Sequence, residues 1–288
     1  MAKHNADLPL LPRLPPRQSD SHKGDYGRAL LVGGSQGLSG AIALAGMAAL
    51  RSGAGMVKVA TSAACQNVVA GYEPSLMTIG LPADAHGRIA GSAWSTLNEI
   101  AAEATVIACG PGLGRSSELV ELVGWLYKSA KQPMVVDADA LNALAQQPDA
   151  LAKPGGPRIF TPHPGEFGRL IGRETIPIPE RESLAREFAL RTGVTLVLKG
   201  HHTVVTDGKN LSINPTGNPG MATGGSGDVL TGIITAIVCQ HLEPYDAARL
   251  GAYVHGLAGD LAAAELGQIP MIASDLIKFL PAAWKQVS

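Results

Sequence analysis

The sequence predicts a three-layer α/β fold in which a mostly parallel sheet is flanked by helices. Short apolar runs of strand length recur along the 288 residues, several end directly in glycines or an acid, and helical stripes follow those turns. A chain of this length buries roughly three quarters of the surface it exposes when unfolded, enough for one large core. No internal repeat or linker divides residues 25–288, which are expected to form a single domain. Residues 1–24, rich in proline and polar groups, are expected to form an extended arm without helix or strand, suited to packing on a neighbour.

Each element has its own signal. Arg28–Val32 (RALLV) reads as a buried strand entering a glycine loop (Gly33, Gly34, Gly37, Gly40), and the Ala/Leu helix behind it should stop at Gly53. No Gly-Lys-Ser/Thr follows, and the order GxGxxG is missing, which excludes a P-loop and a dinucleotide fingerprint. Residues 56–60 and 75–79 read as strands; 105–109 is a clearer one and runs into Gly110-Pro111-Gly112-Leu113-Gly114. A helix from near Ser116 carries Leu119, Leu122, Val123 and Leu126 on one stripe. Met134–Val136 ends in Asp137-Ala138-Asp139-Ala140-Leu141-Asn142, and an acid at that end of a parallel strand stands where such sheets keep their ligands.

Residues 158–161 lead into Pro162-His163-Pro164-Gly165-Glu166-Phe167, read as a rigid presenting loop because prolines fix the backbone on both sides of His163. A helix over 179–191 precedes Thr195–Leu198, which delivers Lys199-Gly200-His201-His202-Thr203; a lysine followed by glycine there suits a phosphate. His201 and His202 are expected to point to opposite faces of a strand, which argues against a metal pair. Asp207-Gly208 between Val204–Thr206 and Leu211–Ile213 marks a hairpin. Helices over 231–241, 244–265 and 273–285 close the chain, and the stripe Gly251, His255, Gly259, Ala263 reads as close helix packing.

The chemistry concentrates in residues 214–234, NPTGNPGMATGGSGDVLTGII. Gly217, Gly220, Gly224, Gly225 and Gly227 leave the backbone bare; Asp228 follows, and Val229, Leu230, Ile233, Ile234, Ile237 and Val238 then recur at helical spacing. Amides at the start of a helix converge on one spot and carry partial positive charge, which makes a phosphate cradle. A carboxylate beside that anion is costly unless it takes a proton from an attacking hydroxyl. The same pattern also fits an ordinary glycine-rich turn with Asp228 as a helix-start residue.

Composition narrows the classes. A net charge of −1 gives no electrostatic case for nucleic acid or an anionic membrane. Cys65, Cys109 and Cys239 are single and widely spaced, as expected of buried thiols in a reducing compartment. The first residues lack the apolar stretch of a signal peptide and no segment is long enough to span a bilayer, so the cytoplasm is expected.

The stretches HKGDYGRALLVGGSQGLSGA, CGPGLG, VVDADALNAL, TPHPGE, LVLKGHHTVV and NPTGNPGMATGGSGDVLTGI together resemble the ribokinase-like superfamily, and within it the NAD(P)H-hydrate dehydratase family, from His22 onward. Ser226 stands where the family often has threonine, and both carry a hydroxyl. Many relatives carry a fused N-terminal epimerase domain, for which 288 residues leave no room. The resemblance implies ADP-dependent dehydration of the S-form of NADH or NADPH hydrate: the ring hydroxyl is phosphorylated, phosphate leaves, and AMP is released. Ala41, Gly112, Gly114 and His163 would bind the hydrate together with Asp228, which would also be the base. Lys199, Gly200, His201, His202, Thr203, Gly224, Gly225, Ser226 and Gly227 would hold the nucleotide. Glu166 and Asp137 would position Mg²⁺, directly or through water, with Asn142 bracing Asp137. Similar proteins also imply a homo-oligomer, a tetramer. Two alternatives share the glycine loop: a hydroxymethylpyrimidine- or thiazole-type kinase, which would release a phosphorylated product, and a nucleotide-binding regulator that turns nothing over.

Overall fold

In the computed structural model, which describes residues 11–287, the chain winds around one nine-stranded sheet. Its first half contributes β1 (Arg28–Val32), α1 (Ser39–Arg51), β2 (Met56–Ser62), α2 (Gln66–Ala70), β3 (Met77–Leu81), α3 (Trp94–Ala102), β4 (Val106–Cys109), α4 (Ser117–Ser129), β5 (Met134–Val136), α5 (Ala138–Ala145) and α6 (Pro148–Leu151). The second half adds β6 (Arg158–Phe160), α7 (Pro164–Ile171), α8 (Arg181–Thr192), β7 (Thr195–Leu198), β8 (Val204–Thr206), β9 (Leu211–Ile213), α9 (Ser226–Cys239), α10 (Pro244–Leu266) and α11 (Ala273–Val287). The strand order is β3-β2-β1-β4-β5-β6-β7-β8-β9, parallel as far as β7, with β8 and β9 added as an antiparallel hairpin.

Strands covered on both faces need apolar residues at successive positions, and β1, β4, β5 and β7 supply such runs. Leu30, Val32, Ile107, Cys109, Met134, Val136 and Phe160 face one core under α3, α4, α5, α7 and α8. Their neighbours Ala29, Leu31, Val106, Ala108, Val135 and Ile159 face the other, under α1, α9, α10 and α11. Because the chain goes from β1 out to β2 on one side and later to β4 on the other, a crevice opens between the β1 and β4 ends. There Gly34 N donates to Pro111 O.

Several expectations shift. Strand β3 starts at Met77 because a turn closed by Leu76 N donating to Glu73 O takes up the preceding residues. The helices α2, α3, α5 and α6 carried no sequence signal strong enough to be anticipated. The expected loop is shorter than 162–167: only Pro162 and the extended His163 belong to it, Pro164 opens α7 at the first helical position, where its missing N–H costs nothing, and His163 caps the helix. Helix α9 begins at Ser226 and not near residue 231, so Asp228 lies in its first turn. Residues 1–10 of the expected arm lie outside the described residues. The described part rests on its own chain: Leu14 packs on the core, Arg17 donates to Gly53 O at 2.8 Å, and its guanidinium covers the Tyr26 ring. A 3₁₀ turn, Lys23–Tyr26, bridges arm and domain.

Helix α9 is the buried spine of the second core, pressed between α1 and α10. The approach is closest at Gly232, where a Cβ would stand 2.1 Å from Ala45 O. Alanine there would gain about 1 kcal/mol of helix propensity. Overpacking against fixed backbone costs about 1–3 kcal/mol, and at so short a distance the clash wins. Gly232→Ala is therefore expected to lower the denaturant midpoint, and a midpoint equal to or above wild type would show that α1 yields.

Candidate active site

Three consecutive strands end at one place. Asp137 follows β5, His163 lies just past β6, and Lys199 follows β7, so their side chains meet the start of α9. They line a cleft of about 720 Å³ together with the turn 200–203, the loop 214–219, residues 225–228, and His255 and Gly256 of α10. The antiparallel hairpin β8–β9 feeds the chain into this loop. Helix α10 then fixes it: Asp260 accepts from Gly217 N at 2.9 Å and from Asn218 Nδ2 at 3.0 Å.

Gly225 takes φ +91°, a conformation suited to glycine, and turns the loop into α9. Around this turn the amides of Gly224, Gly225, Gly227 and Asp228 donate to no protein acceptor among the described residues. Gly225, Gly227 and Asp228 line the cleft at the positive end of the dipole, whereas Gly224, expected among the nucleotide-binding residues, precedes the cap and is not part of the lining.

The charges beside them form one connected group. Asp137, 1% exposed, accepts from Lys199 Nζ at Oδ1 (2.9 Å) and from Thr231 Oγ1 at Oδ2 (2.8 Å). The same ammonium lies 3.9 Å from Glu166 Oε2. Burial opposes the charge on Lys199, but Asp137 and Glu166 hold its ammonium above the usual lysine range. Asp228 has no hydrogen bond or ion pair among the described residues and feels Asp137, Glu166 and Asp139 against the single Lys199. Burial first, and then the Asp137 charge, push its carboxyl up to about 7. A carboxylate poised there suits proton transfer near neutral pH.

The expected residues divide into two groups. Asp228, Asp137, His163, Lys199, Gly200, His201, His202, Thr203, Gly225, Ser226 and Gly227 all line the cleft. Lys199 Nζ lies 3.0 Å from where a Gly227 Cβ would be. Ala41, Gly112 and Gly114 lie instead at the crevice between β1 and β4: a Gly112 Cβ would stand 3.1 Å from that of Ala41. Gly114 N donates to Asp139 Oδ2 at 3.0 Å, and Ala138, held at φ +49°, links Asp139 to Asp137 in the cleft. Thus one acidic turn, 137–139, separates the two halves.

Other roles change. Glu166 is occupied in the α7 cap, where Oε2 accepts from His163 N at 2.8 Å while His163 Nδ1 accepts from Gly165 N at 3.0 Å. Burial lowers the His163 pKa against the pull of Glu166. Asn142 braces Asp139, not Asp137: its Nδ2 reaches Asp139 Oδ1 at 3.4 Å, and its Oδ1 accepts from Arg169 at 2.7 Å. His201 and His202 are not strand residues; they occupy a turn with His202 at φ +56°, and their rings lie 3.8 Å apart. No group of three or more His, Cys, Asp or Glu among the described residues could hold a metal, and Asp137 and Glu166 are already paired. Sequence reasoning missed Thr231 and His255. Thr231 stands one helical turn beyond Asp228, a spacing that was visible, whereas His255 merged into a stripe of small residues.

Known proteins resemble this chain over most of its length. Residues 29–282 match the NAD(P)H-hydrate dehydratase family. The bifunctional NAD(P)H-hydrate repair enzyme Nnr of Moorella thermoacetica is 50% identical over 272 residues, covering 93% of this chain and 51% of that protein. The chain spans about half the length of the bifunctional relatives it matches. The ADP-dependent (S)-NAD(P)H-hydrate dehydratase of Bacillus subtilis is 38% identical over 281 residues, covering 95% of this chain and 94% of that one. A crystal structure of the ADP/ATP-dependent NAD(P)H-hydrate dehydratase of Bacillus subtilis, co-crystallised with ATP/Mg²⁺, superposes with a TM-score of 0.78 at 34% identity, covering 96% of this chain and 95% of that one. The fold is ribokinase-like.

The raised Asp228 carboxyl has a consequence for stability. The unfolded chain ionises this aspartate near its ordinary value, about 4, whereas the folded protein ionises it at about 7. Between those values the folded state holds the extra proton, so stability falls as pH rises through the window. Asp228→Asn removes the penalty. It is expected to melt higher than wild type at about pH 8 and to lose that advantage at or below about pH 4; equal melting temperatures at both would contradict the crowded carboxylate.

Proposed function

This chain belongs to the NAD(P)H-hydrate dehydratase family, and we propose that it dehydrates the S-form of NADH or NADPH hydrate back to the working cofactor with ADP as co-substrate. The observation that carries the reading is the start of α9, where unpaired amides and a carboxylate poised near neutrality stand side by side in the cleft. The relatives' names supply the substrate, and the site supplies a physical route to it.

ADP phosphate oxygens fit the amides of Gly225, Gly227 and Asp228, with the 200–203 turn lining the same cleft. Ala41, Gly112 and Gly114 fit the hydrate, with its ring hydroxyl directed past the acidic turn toward Asp228. That hydroxyl oxygen attacks the terminal phosphorus of ADP while its proton passes to the Asp228 carboxylate, and the bridging P–O bond breaks to release AMP. The amides and Lys199 balance the charge on the phosphoryl oxygens. The ring nitrogen then pushes its electrons toward the carbon bearing phosphate; phosphate leaves, the neighbouring carbon loses a proton, and the double bond forms. Hydroxide is a poor leaving group and phosphate a good one, which is why the nucleotide is needed. Magnesium would come with the phosphates and not from a protein cage, since Asp137 and Glu166 are engaged elsewhere.

The exposed Leu266, Ile269 and Ile272 between α10 and α11 support a homo-oligomer, which we take to be a tetramer; light scattering at a mass near 29.6 kDa would refute it. No helix among the described residues is long and apolar enough to cross a membrane, and the three buried free cysteines fit a reducing cytoplasm.

The direct test supplies purified protein with NADH hydrate, ADP and Mg²⁺ and follows loss of the hydrate absorbance and growth of the NADH band. Turnover with ADP is expected, and a strict requirement for ATP would overturn the nucleotide assignment. Asp228→Asn should lose about 10²–10⁴ in turnover while binding ADP as well as or better than wild type, because a like charge beside phosphate is gone. More than about a tenth of wild-type turnover would remove Asp228 as the base. In wild type, activity needs ionised Asp228, so kcat/KM should rise with pH to a plateau above about 7. Lys199 lowers the Asp228 pKa, so Lys199→Ala should move this acid limb to higher pH and weaken ADP binding more than hydrate binding. Unchanged ADP affinity in calorimetry would tell against that role.

A further inference from the structure

Neither the glycine loop nor the carboxylate cluster accounts for His255, which stands on α10 and lines the cleft. The same helix holds the entry of the loop: Asn214 Nδ2 donates to Ala252 O at 3.1 Å and Thr216 Oγ1 to Tyr253 O at 2.9 Å. His255 holds its exit, with Nε2 2.9 Å from Ser226 O and 3.3 Å from Ser226 Oγ. A carbonyl oxygen only accepts, so Nε2 carries the hydrogen. Burial pushes the His255 pKa down to about 4, which leaves the ring neutral at physiological pH. Its single proton is therefore on Nε2, and Nδ1 is a bare acceptor that meets no donor among the described residues.

That acceptor differs from the groups that suit phosphate, and unlike the carboxylates of Asp137 and Asp228 it is neutral. The helix-start amides and Lys199 all offer hydrogens, which is what phosphate wants, whereas Nδ1 offers a lone pair, which phosphate oxygens cannot use. A ligand group that meets Nδ1 must carry its own hydrogen. His255 lines the same cleft as the 214–218 loop and the 199–203 turn, and Ala41, Gly112 and Gly114 do not. We propose that His255 is a specificity residue for the nucleotide, with Nδ1 accepting a hydrogen bond from a neutral donor of the nucleoside, either a ribose hydroxyl or the adenine amino group. The inference rests on ADP occupying this cleft. It adds a preference for a complete nucleoside over a bare pyrophosphate, which a phosphate cradle by itself would not give.

Calorimetry on wild type, His255→Phe and His255→Gln tests it with ADP, 2′-deoxy-ADP, 3′-deoxy-ADP and inosine diphosphate, which lacks the amino group. His255→Phe should weaken ADP binding by roughly threefold to tenfold, the worth of one hydrogen bond. In wild type one of the three analogues should lose a similar factor, identifying the donor, and in His255→Phe it should lose nothing further against ADP. Glutamine offers both a donor for Ser226 and an acceptor for the ligand and should restore most of the affinity. Unchanged ADP affinity in a folded His255→Phe protein overturns the proposal, as does an equal loss for every analogue in both proteins. Should the phenylalanine variant not fold, ¹⁵N-histidine NMR of wild type decides: adding ADP should shift the His255 Nδ1 resonance upfield, and an unmoved resonance overturns the proposal. Wild type that binds no ADP at all overturns the nucleotide reading and this inference together, whereas ADP binding without a His255 effect overturns this inference alone.

Discussion

Lys199 is a buried ammonium held 2.9 Å from Asp137 and 3.9 Å from Glu166, and the rest of the site is arranged around that placement. Two carboxylates face one cation, and a third acid, Asp228, stands close enough for all of them to act on it. Burial first, and then the surplus of negative charge, keep Asp228 from ionising at its ordinary pH, while the ammonium pulls the other way. Exposing this group to water would bring Asp228 back toward an ordinary aspartate, and removing Lys199 would leave carboxylates that repel phosphate.

The fold makes that group possible by bringing together strand ends that are distant in sequence. Asp137, Glu166 and Lys199 follow the neighbouring strands β5, β6 and β7, and parallel pairing puts their carboxyl ends on one edge of the sheet. Thr231 then ties the group to α9, since its hydroxyl occupies the second Asp137 oxygen. Helix α9 can take that position only because Gly232 lets α1 come close. Packing of two helices thus sets the distance between the start of α9 and the Asp137–Lys199 pair.

A division of labour between two crevices follows from the topology. The crevice between β1 and β4 holds Ala41, Gly112 and Gly114, and the cleft at the β5–β7 ends holds the glycine loop. The turn 137–139 joins them, with Asp137 committed to one side and Asp139 to the other. In the proposed reaction, a substrate hydroxyl and a phosphoryl donor would approach Asp228 from these separate directions, as a transfer in line requires.

The sequence by itself determined the layers and singled out segments whose residues meet in the cleft. Apolar runs such as ALLV and VIAC are strands because a sheet covered on both faces buries every position, and GGSGD before a helical stripe marks the start of α9, where glycine leaves amides exposed. Boundaries were less legible. Prolines around His163 looked like loop residues, although Pro164 is the first residue of α7, and the break near Ser75 depended on a turn. What only the tertiary structure decided is which charges meet. Sequence gives Lys199 a phosphate-binding look, but its partners lie 62 and 33 positions away on adjoining strands' ends. Likewise His255 in a small-residue stripe gave no hint that its ring would reach Ser226. Local patterns report backbone preference and burial, whereas ionisation and tautomer are set by neighbours that only the folded sheet brings within a few ångströms.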